Sequence, residues 1–117
     1  MTVTRHNGLV LFELDPLGPS LGADLHVNDV LGDAFSVEAD VVVVPSSRVA
    51  ADFFELRSGL AGEVFQKMEQ YHCRLVILGD VSAAVAGSRS LHDFVYETNR
   101  RGHHLFVSDR AEMLARL

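Results

Sequence analysis

The chain has 117 residues, 48% of them hydrophobic and 22% charged, with a net charge of −6. This composition is globular rather than disordered, and the length suits one core, which at this size buries roughly two thirds of the unfolded surface. Residues 1–55 hold nine Asp/Glu against Arg5 and Arg48, and the largest basic cluster is Arg100 with Arg101; with no basic face to neutralise phosphates, nucleic acid is not the expected partner.

The opening MTVTRHNGLV lacks the apolar stretch of a signal peptide, and no apolar run approaches the roughly 20 residues of a membrane span. A cytoplasmic protein without membrane contact is expected. The single cysteine, Cys73, has no intrachain partner, which fits a reducing compartment.

Asn7-Gly8 separates two apolar-containing segments, Thr2 to His6 and Leu9 to Leu14. Asn-Gly supplies the two positive φ angles of a type I′ turn, so an opening β-hairpin is predicted, its second strand lying further inside the sheet. DPLGPS (15–20) breaks the pattern. Val27, Val30, Leu31 and Ala34 then recur at helical spacing, with Asp24 as N-cap. Val41 to Val44 and Arg74 to Leu78 are strands apolar on both faces, which belong inside a sheet covered by helices. Between them Leu60, Ala61, Val64, Phe65, Met68 and Tyr71 form the apolar stripe of an amphipathic helix.

Ser90 and Asp93 resemble a capping box for a helix presenting Leu91, Phe94, Val95 and Thr98, with Arg100 and Arg101 at its negative dipole end and Gly102 as its stop. Leu105 to Val107 makes a last strand, and Asp109 with Glu112 caps a terminal helix reaching Leu117. The order β-β-α-β-α-β-α-β-α implies a single-domain α/β sandwich. Its sheet of about five strands is mostly parallel and becomes mixed through the hairpin.

The stretch ELRSGLAGEV (55–64) starts a helix poorly, because an interior glycine costs about 1 kcal/mol relative to alanine. Arg57 would also project into the apolar stripe. The regular helix is therefore expected to start after Arg57, with Asp52 and Glu55 capping a separate short turn. Ser58 then stands at or near the N-cap, and Gly59 and Gly62 in the first turns keep the backbone approachable. The string FFELRSGLAGEVFQK, followed by GDVS and DFVYETNR, resembles the bacterial domain-of-unknown-function family 4180 over nearly the whole chain, a family that names no activity. More loosely, Ser-Gly-Leu opening a helix before the strand RLVILG is similar to STAS domains, the fold of anti-sigma factor antagonists. That resemblance implies a non-enzymatic regulatory domain in which the serine matching Ser58 is phosphorylated by a partner kinase.

Two site readings follow. In the first, a protein partner docks over Arg57, Ser58, Gly59 and Gly62, with phosphate at Ser58 favoured by the free N–H groups of a helix start; a plain N-cap serine has the same sequence. In the second, the polar residues after the strands, Ser46 and Arg48 with Asp80 and Ser82, line a ligand or catalytic pocket, as strand ends do in open α/β sheets; each also serves as an ordinary turn former. No cofactor is expected. The histidines lack metal-binding spacing, His103 and His104 are expected to diverge, and Cys73 is expected in the core. A homo-oligomer stays open.

Overall fold

A computed structural model describes residues 1–117. Strands β1 (Thr2–His6) and β2 (Leu9–Glu13) form the predicted antiparallel hairpin. Asn7 and Gly8 turn it at φ of 51° and 79°, the pair of left-handed conformations a type I′ turn requires. Strands β3 (Val41–Pro45), β4 (Arg74–Leu78) and β5 (Leu105–Val107) follow, and the sheet runs in chain order, β1-β2-β3-β4-β5, parallel from β2 onward.

Chain order with right-handed crossovers forces the connecting helices onto one face. Residues of α1 (Val27–Ser36) and α2 (Leu60–Gln70) accordingly pack on Phe12, Val42, Val44, Leu75, Ile77 and Phe106, with Phe94 and Val95 of α4 (Arg89–Arg101) at the margin. The alternate residues Leu11, Val41, Val43, Val76, Leu105 and Val107 meet Met113 of α5 (Arg110–Arg116) on the opposite face. The unbroken valine run thus divides by the two-residue period of a strand between two separate cores.

Helix α5 is short and is held at both ends. Arg110 pairs with Glu13 at the end of β2, and His6 Nε2 donates to the Leu114 carbonyl at 2.8 Å. Burial alone would raise the Glu13 pKa, yet the bonds from Arg110 and Thr4 outweigh it and hold the carboxyl below its ordinary value.

Three local expectations are corrected. Helix α1 is capped by His26, whose Nδ1 accepts from the Asn28 N–H at 3.0 Å, because Asp24 is tied into a turn in which the Gly22 N–H bonds the Leu25 carbonyl. Helix α4 is capped by Ser88, which accepts from the Leu91 N–H, so Ser90 lies inside the first turn. Tyr71 stands past the end of α2 and is 61% exposed, outside the buried stripe of Ala61, Val64 and Met68. A further helix, α3 (Ser82–Ala86), precedes α4. The Asp109 cap holds, accepting from the Glu112 N–H at 2.8 Å, while Glu112 accepts from Ser108.

Candidate functional site

The chain leaves β3 through three 3-10 turns, Ser46–Arg48, Ala51–Phe54 and Leu56–Ser58, before α2 begins at Leu60. Phe53 pins this segment: it is fully buried and packs its ring on Phe54 and Phe65. Ser58 is exposed, and its hydroxyl has two partners. It donates to the Asp52 carbonyl at 2.6 Å and accepts from the Leu60 N–H at 3.2 Å, satisfying the first amide of α2. Gly59 is the N-cap itself, at φ 77°, rather than a residue of the first turn. Gly62 does lie in the first turn, exposed, with open space where a Cβ would project. Arg57 is exposed beside them and belongs to none of the ion pairs.

The strand-end residues are engaged locally. Arg48 is 7% exposed and holds the loop before α1: its Nε donates to the Pro19 carbonyl at 2.7 Å and its Nη1 to the Asp15 carbonyl at 2.9 Å. Ser46 lies against Gly79, where a side chain would collide with its Oγ. Asp80 accepts from the Ser82 N–H at 2.9 Å, and the bonds from Ser82 hold its carboxyl below the ordinary value. None of Ser46, Arg48, Asp80 and Ser82 lines any of the three principal cavities.

Those cavities lie along α1 and α2. The most apolar one, about 400 Å³, opens between α1 and the C-terminal half of α2. Its lining includes Leu31, Ala34 and Phe35 of α1 together with Ala39, Lys67, Tyr71 and Cys73. Phe35 is 83% exposed at the rim, and a second hollow begins on its other side. A smaller cavity of about 120 Å³ lies at the other end of the helix pair, between Gly22, His26, Leu60 and Glu63. Sequence reasoning missed the groove. The signal was available in the small residues Gly32, Ala34 and Ala39, which cannot fill the gap between two helices.

Two titratable groups, Cys73 and His104, are buried in the core. Burial pushes the Cys73 thiol up to about 11, with Asp40 adding to the shift, so it is a packed thiol rather than a nucleophile. His104 is buried. Its Nδ1 accepts from the Leu75 N–H at 2.9 Å, which fixes the proton on Nε2, 3.5 Å from Glu69 Oε1 and beyond normal hydrogen-bond length. Burial, and then His103, lower its pKa to about 4. The two histidine rings meet edge to face at 4.6 Å instead of diverging, because they lie in a bend before β5 rather than in a strand.

The fold and site therefore define an α/β domain with α1, α2 and α4 on one face of the sheet and α5 on the other, a polar helix entrance and an apolar inter-helix groove. The chain belongs to the family described as domain of unknown function DUF4180, whose model matches residues 6–117. No curated protein and no solved structure matches it. No helix is long and apolar enough to cross a membrane.

Proposed function

We propose that this chain is a non-enzymatic, STAS-like regulatory domain of the cytoplasm that binds a protein partner over Arg57, Ser58, Gly59 and Gly62 and is switched by phosphorylation of Ser58. The observation that carries this reading is the double role of the Ser58 hydroxyl, a donor to Asp52 and an acceptor from Leu60 on an exposed surface. A phosphate ester has no proton to give the Asp52 carbonyl, but its oxygens still suit the Leu60 N–H and the positive end of the helix. Modification would thus release residues 51–58 from Ser58 and leave α2 capped. Gly62, which no contact within the fold requires, leaves room for a partner's backbone.

The test compares wild type, Ser58→Ala and Ser58→Asp. The Asp variant is expected to keep its cooperative melt, to lose amide-exchange protection over residues 51–60 only, and to lose partners captured by the wild type. Retention of every partner with unchanged exchange would reduce Ser58 to a cap.

A further inference from the structure

The two edges of the sheet are finished differently. At β5 the Asn99 amide bonds both backbone groups of Phe106, so a side chain closes that edge. At β1 no strand stands outside. A two-residue type I′ turn makes His6 and Leu9 a hydrogen-bonded pair, and alternation then turns the backbone groups of Thr2, Thr4 and His6 toward β2. The N–H and C=O of Val3 and Arg5 face away from the sheet, and no other segment pairs with them. Natural edge strands are commonly blunted by Lys, Pro, a bulge or a covering loop. TVTRH has no Lys or Pro and keeps one register along its whole length, and Val3, 44% exposed, adds apolar surface at the rim.

Symmetry and charge select the occupant. The free groups belong to the residues on either side of Thr4, the middle of the strand. A two-fold axis beside Thr4 therefore sets Val3 of one copy opposite Arg5 of the other and lets the two exchange both hydrogen bonds. Thr4 then faces Thr4 of the second copy, a favourable cross-strand pair, and Thr2 faces His6. No like charges stand directly opposite, and the stem of each Arg5 covers an exposed Val3. An acidic chain repels its own copy over most of its surface, but residues 1–12 hold no carboxylate. The next two along the chain are already paired, Glu13 with Arg110 and Asp15 with the N-terminal amine.

We infer that the free edge of β1 is a homodimerisation surface, where two copies pair antiparallel through Val3, Thr4 and Arg5 and join their sheets into one. This axis keeps α1, α2 and α4 of both copies on the same face of the joined sheet, and the seam uses none of the residues around Ser58. A five-residue strand is small beside the roughly 1,200–2,000 Å² of stable interfaces, so the dimer is reversible and forms as concentration rises.

Sedimentation velocity of the full chain over a range of concentrations is expected to show a monomer passing to a dimer. Val3→Lys puts a guarding charge on the edge, and Arg5→Pro removes an outward N–H without touching the hairpin's own bonds. Each is expected to weaken association about tenfold or more, with the circular dichroism unchanged. Cysteine substitution reads the register. Opposed Cβ atoms of a non-hydrogen-bonded pair lie about 4.5 Å apart, within reach of a disulfide. Thr4→Cys should therefore cross-link under mild oxidation, whereas Thr2→Cys, which faces His6, and the wild type, whose Cys73 is buried, should not. The inference is overturned if the wild type stays monomeric at its highest soluble concentration, which would leave the edge to another chain. It is equally overturned by a dimer that both edge variants retain, or by a Thr2→Cys protein that cross-links as fast as Thr4→Cys.

Discussion

Asn99 closes the outer edge of β5: its Oδ1 accepts from the Phe106 N–H at 2.8 Å and its Nδ2 donates to the Phe106 carbonyl at 3.1 Å. The amide stands where a sixth strand would pair, so the edge offers no unpaired groups at that residue. Asn99→Leu leaves both backbone groups without their partner, at a cost of about 1–3 kcal/mol, and reopens an apolar edge of Leu105, Phe106 and Val107. Lower thermal stability with faster light-scattering growth is expected; Asn99→Asp, which can accept but not donate, should fall between.

Arg48 is the second structural anchor. Replacing it with Met preserves much of its volume but leaves the carbonyls of Asp15 and Pro19 without their donor, and should cost about 3 kcal/mol. The check is the denaturant midpoint together with amide exchange in residues 15–20. If Arg48 bound a ligand instead of the loop, exchange there would stay unchanged.

His104 makes stability pH-dependent, and the direction follows from its depressed pKa. Between about 6.5, its unfolded value, and about 4, its folded value, the unfolded chain binds a proton that the folded chain refuses. Its stabilising contribution is complete above that window and falls as pH drops through it, by about 3 kcal/mol in all. Wild type should therefore lose melting temperature between pH 7 and 4.5 more steeply than His104→Gln, which can still accept from Leu75 without titrating. Parallel curves would show that His104 is not the group responsible.

The elements were legible because each has a local cause. Asn7-Gly8 sets the hairpin, the valine run sets β3, and Asp109 with Glu112 opens α5. Features set by distant residues were not legible. Asp24 has the residue type of a cap, but it lies within the turn closed by the Gly22 N–H on the Leu25 carbonyl, two residues before the His26 cap, and Tyr71 continued a stripe that the helix end cuts off. Arg48 sat among strand-end polar residues, and only the folded path of residues 15–19 shows what it holds. The α1–α2 groove is harder still, because a hollow is a property of two helices and is written in neither. Ser58 was placed to within one residue of the N-cap, yet its bond to Asp52, on which the switch depends, required the folded turn.

The two glycines of ELRSGLAGEV should respond to alanine with opposite signs, because one is required by the backbone and the other is not. Gly59 holds φ at 77°, a left-handed conformation that costs an L-residue roughly 1–2 kcal/mol, and no contact compensates for it. Gly59→Ala should lower stability by about that amount. Gly62 is helical, and a Cβ there meets nothing within 4 Å, so Gly62→Ala gains helix propensity and should raise stability by about 0.5–1 kcal/mol. Thermal melts of the two single variants test the signs. The functional consequence separates from the fold at Gly62: if a partner docks closely over this turn, the more stable Gly62→Ala protein should capture less of it, because the new methyl projects into the contact. A Gly62→Ala protein that is both more stable and fully competent would remove close backbone approach from the docking argument, leaving Ser58 alone to support it.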